Sequence, residues 1–206
     1  MGLVYQIGGG ICRSVAHCCF DFRVIGREKV PQQGGLILAM NHQSFLDPPL
    51  AGIACDREIF YLARKSLLEW PVLGRLFPAM NVIPCDQEGS DISALKVVIR
   101  LLKAGHATVI FPEGTRTRDG KIQAAQPGIG MIVAKTLVPV LPMRVFGAFE
   151  AFPRGGKHFQ FSPIRVVAGD VMRFSEEDFA GPSKEAYARV SSRIMDRIAS
   201  LELPPE

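Results

Sequence analysis

Apolar residues run along this chain in two alternating textures. Short, nearly continuous apolar runs at residues 35–40 (GLILAM), 59–64 (IFYLAR), 107–112 (ATVIFP), 138–146 (VPVLPMRVF) and 164–169 (IRVVAG) read as strands buried on both faces. Between them lie helix-like stretches, at 48–56, 90–105 and 128–136. This alternation predicts a layered α/β domain. The clearest helix spans residues 91–103, where Ile92, Leu95, Val98, Ile99 and Leu102 recur at three- and four-residue spacing, with Ser90 or Asp91 as cap and Gly105 beyond the end. A second amphipathic helix is predicted over 183–201, capped by Ser183, with Tyr187, Val190, Ile194, Ile198 and Leu201 on one face. No internal repeat or low-complexity linker divides the 206 residues, so a single domain over 1–206 is expected.

Composition narrows the class. With 48% hydrophobic and 21% charged residues the chain is an ordered globular one, and its mean hydropathy of +0.17 leans toward a membrane neighbour. A net charge of +4 suits an anionic substrate or lipid headgroups, and a solvated mixed surface equally well. The five cysteines, an odd number with no CxxC spacing, point to a reducing compartment and away from structural zinc. Residues 1–22 read neither as a signal peptide nor as a spanning helix: the apolar part lacks a basic lead-in, and Gly8, Gly9 and Gly10 weaken helix formation. Residues 1–30 are expected either to lie on a membrane surface or to pack a helix on the core.

Two stretches carry candidate chemistry. In residues 41–49 (NHQSFLDPP) the prolines suit the first turn of a helix with Asp47 as its cap, while Asn41 and Ser44 favour a turn. One reading is purely structural: a strand, a polar turn and a capped helix. The other folds the Asp47 carboxylate back onto His42, fixing the tautomer and stabilising the imidazolium formed when the second nitrogen takes a proton. His42 is then a general base, and a substrate hydroxyl serves as the nucleophile. The second stretch, residues 108–121, is a buried strand that breaks at Pro112 into Glu113, Gly114, Thr115 and Arg116, with Arg118 and Lys121 beyond. Gly114 allows close backbone approach, Thr115 offers a hydroxyl, and Arg116 presents a fork that fits phosphate oxygens. Alone, it reads more readily as an ordinary polar loop after a strand.

Together the two stretches resemble the glycerolipid acyltransferases that make phosphatidate from lysophosphatidate. Asn41, His42 and Asp47 match that family's first block and residues 111–116 (FPEGTR) its third. Arg64, Leu67, Pro71 and Gly74 fit a block between them, and Pro139 and Pro142 a later one; the matching blocks fall within residues 36–148. The resemblance departs at Gln87, where the family has arginine, so a cation there is missing from the headgroup contacts.

What the resemblance implies is a single α/β domain with a central mixed sheet flanked by helices. It implies His42 as base, Asp47 as its orienting partner, and Glu113, Gly114, Thr115 and Arg116, helped by Arg64 or Lys65, as holders of the acceptor phosphate. No bound cofactor or metal is expected; acyl-CoA or an acyl carrier protein thioester would be the co-substrate. Lysophospholipid, a membrane surface and acyl carrier protein are the expected partners, nucleic acid is not, and the expected location is peripheral or monotopic on the cytoplasmic side of a membrane. Two other readings stay open. One is a non-catalytic membrane-surface module, supported by the apolar stretch 67–83 with Trp70, beside Arg57, Arg64, Lys65 and Arg75. The other, a serine or cysteine hydrolase, is opposed by the lack of GxSxG.

Overall fold

The computed structural model describes residues 2–69, 73–85, 92–156 and 158–205. Seven strands form one sheet: β1 (Arg23–Ile25), β2 (Leu36–Met40), β3 (Ile59–Arg64), β4 (Val82–Cys85), β5 (Ala107–Ile110), β6 (Val140–Phe146) and β7 (Arg165–Ala168). Their order is β1-β7-β6-β2-β5-β3-β4, and every pair is parallel except β6 with β7. The sheet is therefore mixed, as expected. Among the described residues the helices are α1 (Leu3–Phe20), α2 (Asp47–Ile53), α3 (Leu73–Leu76), α4 (Ile92–Lys103), α5 (Gly128–Thr136), α6 (Ala148–Ala151) and α7 (Ser183–Ala199).

All five residues of β2 are buried, because it sits mid-sheet with helices on both faces. Its side chains alternate between two cores. Leu36, Leu38 and Met40 join Phe20, Leu50, Ala51 and Ala148, from α1, α2 and α6; Ile37 and Ala39 join Val98, Ile132, Val133, Val190 and Ile194, from α4, α5 and α7. The continuous apolar run in the sequence is thus the signature of two cores sharing one strand.

The predicted helices form, with corrections at their starts. Ser90 and Asp91, read as caps of α4, lie outside the described residues, as do Trp70, Pro71 and Gln87. Pro182, not Ser183, occupies the cap position of α7, and Ser183 is its first helical residue. α1 runs unbroken through Gly8–Gly10. Tertiary contacts override the poor propensity: the Tyr5 hydroxyl accepts from Ile59 N (3.1 Å) and meets the Tyr61 hydroxyl (3.4 Å), and a Cβ on Gly8 would stand 3.1 Å from Met80 Cε. No helix among the described residues is long and apolar enough to cross a membrane. Arg57, grouped by sequence with headgroup cations, instead donates to the carbonyls of Pro31 (2.7 Å), Gly34 (2.7 Å) and Gly105 (3.2 Å). Its guanidinium ties two loops together.

α5 and α7 approach so closely that Gly130 N donates to Ser191 Oγ (3.0 Å), and a Cβ on Gly130 would fall 2.1 Å from the Tyr187 carbonyl oxygen. Gly130→Ala should therefore destabilise the fold by ~1–3 kcal/mol through overpacking, seen as a lower Tm in calorimetry. Gly128→Ala, two residues earlier at the start of α5 and with open space around its Cβ, should leave Tm unchanged or raise it slightly.

Candidate active site

The two candidate stretches leave the carboxyl ends of adjacent parallel strands. β2 and β5 pair with Ala39 opposite Ile110, so the chain after Met40 and the chain after Ile110 emerge side by side, in the crevice position typical of α/β sheets. Residues 71 apart in sequence thereby touch. The Glu113 carboxylate accepts from His42 N (2.8 Å) through Oε1 and from Gln123 N (3.2 Å) through Oε2, and Thr117 N donates to the His42 carbonyl (2.9 Å).

Asn41 bridges to the other neighbour of β2. Its side-chain amide donates to the Val145 carbonyl (3.1 Å) and accepts from Val145 N (2.8 Å), continuing the β2–β6 ladder one step past the strand end. The backbone entering His42 is held from both sides. Sequence marked Asn41 as a turn former and missed this bridge, because its partner lies 104 residues away.

Asp47 is fully buried and its Oδ2 accepts three hydrogen bonds: from His42 Nδ1 (2.7 Å), Gln43 N (2.6 Å) and Ser44 N (2.7 Å). The hydrogen-bonded pair forms, but the expected helix cap does not, since no side chain caps α2. Asp47 is the first residue of α2, behind Leu46 at the cap position, and its carboxylate turns back to the 43–44 turn. Pro48 and Pro49 lack N–H groups and so leave no donors on that side of the first turn.

His42 is 6% exposed and its ring stacks on Phe111, with centroids 3.9 Å apart and planes 14° from parallel. Ring and carboxylate are both fixed, and Nε2 carries no hydrogen bond among the described residues. Ser44, the serine two residues from His42, is fully buried; its hydroxyl donates to the Phe152 carbonyl (2.7 Å) and accepts from Leu46 N (3.1 Å). It builds the turn.

Glu113 is also inward-facing, at 3% exposed. Burial pushes its carboxyl above the ordinary carboxylate range, against the pull of the His42 and Gln123 amides. Gly114 adopts φ +70°, a left-handed conformation that disfavours a side chain. Thr115 and Arg116 line an open pocket of about 600 Å³ together with Arg118, Asp119, Gln123 and Arg154. The Arg116 guanidinium carbon sits 3.4 Å above the centre of the Phe45 ring, a cation–π contact that joins this loop to the histidine turn. Arg64 ends β3, exposed, and does not line that pocket. On the far side of α2 an apolar groove of about 150 Å³, lined by Ile11, Val15, Phe20, Leu46, Pro49 and Leu50, opens next to the residue preceding Asp47.

The chain is 28% identical over 183 residues to the 1-acyl-sn-glycerol-3-phosphate acyltransferase of Bacillus subtilis (strain 168), covering 87% of each chain. It is 31% identical over 146 residues to a chloroplastic 1-acyl-sn-glycerol-3-phosphate acyltransferase of Brassica napus, covering 69% of this chain and 42% of that one. The crystal structure of the 1-acyl-sn-glycerophosphate (LPA) acyltransferase PlsC from Thermotoga maritima superposes with a TM-score of 0.76 over 97% of this chain and 81% of that one, at 24% identity. A family model described as Acyltransferase matches residues 21–146, a span that holds β1 through β6 and both strand-end motifs, and the chain belongs to that family.

Proposed function

We propose that this protein transfers a fatty acyl group from a thioester donor, acyl-CoA or acyl carrier protein, to the free hydroxyl of a lysophosphatidate-like glycerolipid, giving phosphatidate. The observation that carries the reading is the 2.7 Å contact between His42 Nδ1 and a buried Asp47, with Nε2 on the ring's other side. The carboxylate holds the proton on Nδ1, so Nε2 is the basic nitrogen. Nε2 takes the acceptor's hydroxyl proton as that oxygen attacks the thioester carbon. The carbon–sulfur bond then breaks, and the imidazolium returns the proton to the departing sulfur. The fully engaged Ser44 hydroxyl argues against an acyl-serine intermediate.

Thr115 and Arg116 face the polar pocket and suit an anionic headgroup, while the groove between α1 and α2 suits an acyl chain. Glu113 has both oxygens committed to backbone amides, so we assign it to positioning His42 rather than to gripping substrate. Peripheral membrane association is supported by α1. Leu3, Ile7, Ile11 and Val15 recur every four residues on its outer face and are 49–71% exposed.

His42→Ala should lower kcat by about 10²–10⁴-fold with circular dichroism unchanged, assayed with lysophosphatidate and with both donor types; wild-type-like transfer would refute the assignment. Glu113→Gln replaces one acceptor oxygen by an amide that meets a backbone N–H donor. It should lower kcat by up to about 10²-fold through misplacement of His42, with little change in acceptor KM. Because the folded state holds the Glu113 proton more tightly than the unfolded chain, its contribution to stability falls as pH rises through the folded value. Chemical denaturation across that range should show this slope in the wild type and lose it in Glu113→Gln. Leu3→Asp with Ile7→Asp should abolish co-sedimentation with phosphatidylglycerol vesicles while leaving transfer to a micellar acceptor near wild type.

A further inference from the structure

The pocket at the end of β5 is lined in part by a residue from outside every motif. Arg154 lies in the connection between β6 and β7, and its Nη1 donates to Thr115 Oγ1 at 3.2 Å. Two anchors hold this connection against the histidine turn: the Phe152 carbonyl accepts the Ser44 hydroxyl, and the Phe152 ring faces Phe45 at 6.2 Å between centroids. Phe45 in turn carries Arg116 on its face. Arg116, Arg118 and Arg154 thus converge on one open pocket from two connections that are far apart in sequence.

Charge and hydrogen bonding point to one ligand chemistry. The pocket's carboxylate, Asp119, spends Oδ1 on its own loop, accepting from Thr117 Oγ1 (3.0 Å) and Lys121 N (3.1 Å). Lys121 beside it offsets the Asp119 charge, so among the described residues Arg118 and Arg154 leave two positive charges at the pocket without Arg116 being counted. A phosphate monoester carries about −1.5 to −2 at neutral pH, whereas a phosphodiester carries one negative charge. The contact with Arg154 also occupies a lone pair of the Thr115 hydroxyl, which leaves its O–H to donate into the pocket.

Resting on the acyl-transfer reading above, we propose that Arg154 is a binding residue for a phosphate monoester, making this pocket select a dianionic headgroup over a phosphodiester one. Two sources offer that group: the acceptor's headgroup and the 3′-phosphate of a CoA donor. The experiment compares wild type, Arg154→Ala and Arg154→Lys for transfer to lysophosphatidate and to lysophosphatidylglycerol, with acyl-CoA, its 3′-dephospho form and acyl carrier protein as donors. In Arg154→Ala the KM for lysophosphatidate should rise roughly tenfold, kcat should fall far less, and the preference over lysophosphatidylglycerol should shrink by the same factor. Arg154→Lys, which keeps the charge without the fork, should recover part of the loss. A rise confined to the KM of acyl-CoA and absent with its dephospho form would assign the same subsite to the donor's phosphate. Unchanged KM values for both substrates in Arg154→Ala, with the wild type active, would overturn the Arg154 assignment alone. A wild type inactive on every lysolipid would overturn the acyl-transfer reading and this inference with it.

Discussion

One carboxylate oxygen organises the carboxyl end of this sheet's central strand. Asp47 Oδ2 accepts from the His42 ring and from two consecutive backbone amides, so the same atom shapes the turn and orients the imidazole inside it. A buried carboxylate needs donors to compensate its lost hydration; three converge on Oδ2, while the equally buried Oδ1 has no hydrogen-bond partner among the described residues. The turn cannot relax without exposing or stranding the charge. The imidazole orientation therefore follows from the folding of residues 42–47 and costs nothing further when substrate arrives.

The surrounding structure fixes where that turn sits. Asn41 extends β2 against β6 on one side, and Glu113 ties His42 N to the loop after β5 on the other. Both contacts exist because β2 lies between β5 and β6 in the sheet order. A parallel sheet brings the carboxyl ends of all three strands to one edge, so the histidine turn, the loop of residues 113–116 and the β6–β7 connection meet there. Phe45 then links the halves, bearing Arg116 on its ring and facing Phe152 beside it. The polar pocket lies on one side of the turn and the apolar groove beside α2 on the other, a division that suits an amphipathic substrate.

Much of this was readable in the chain. Buried strands, the two amphipathic helices and the pairing of His42 with Asp47 each leave a local pattern: continuous apolar runs, a 3.6-residue period, or a five-residue spacing with turn formers inside it. Glu113 and Arg57 were legible as charged residues but not as to what they serve. Charge in a sequence does not disclose whether a side chain faces a ligand or a backbone amide, and both of these face backbone. The continuity of α1 was hidden for a related reason. Three glycines weigh against a helix locally, and the contacts that stabilise it come from residues more than fifty positions away.

The sequence by itself determined the periodicities, the chemistry available at 41–47 and 111–116, and the kind of reaction those residue types can perform. Only the tertiary structure decided which of them meet. Strand order is a long-range choice made by burial on both faces of β2. From it follow the contact between His42 and Glu113, the inward turn of Glu113, and the arrival of Arg154 at the pocket from a connection that carries no motif.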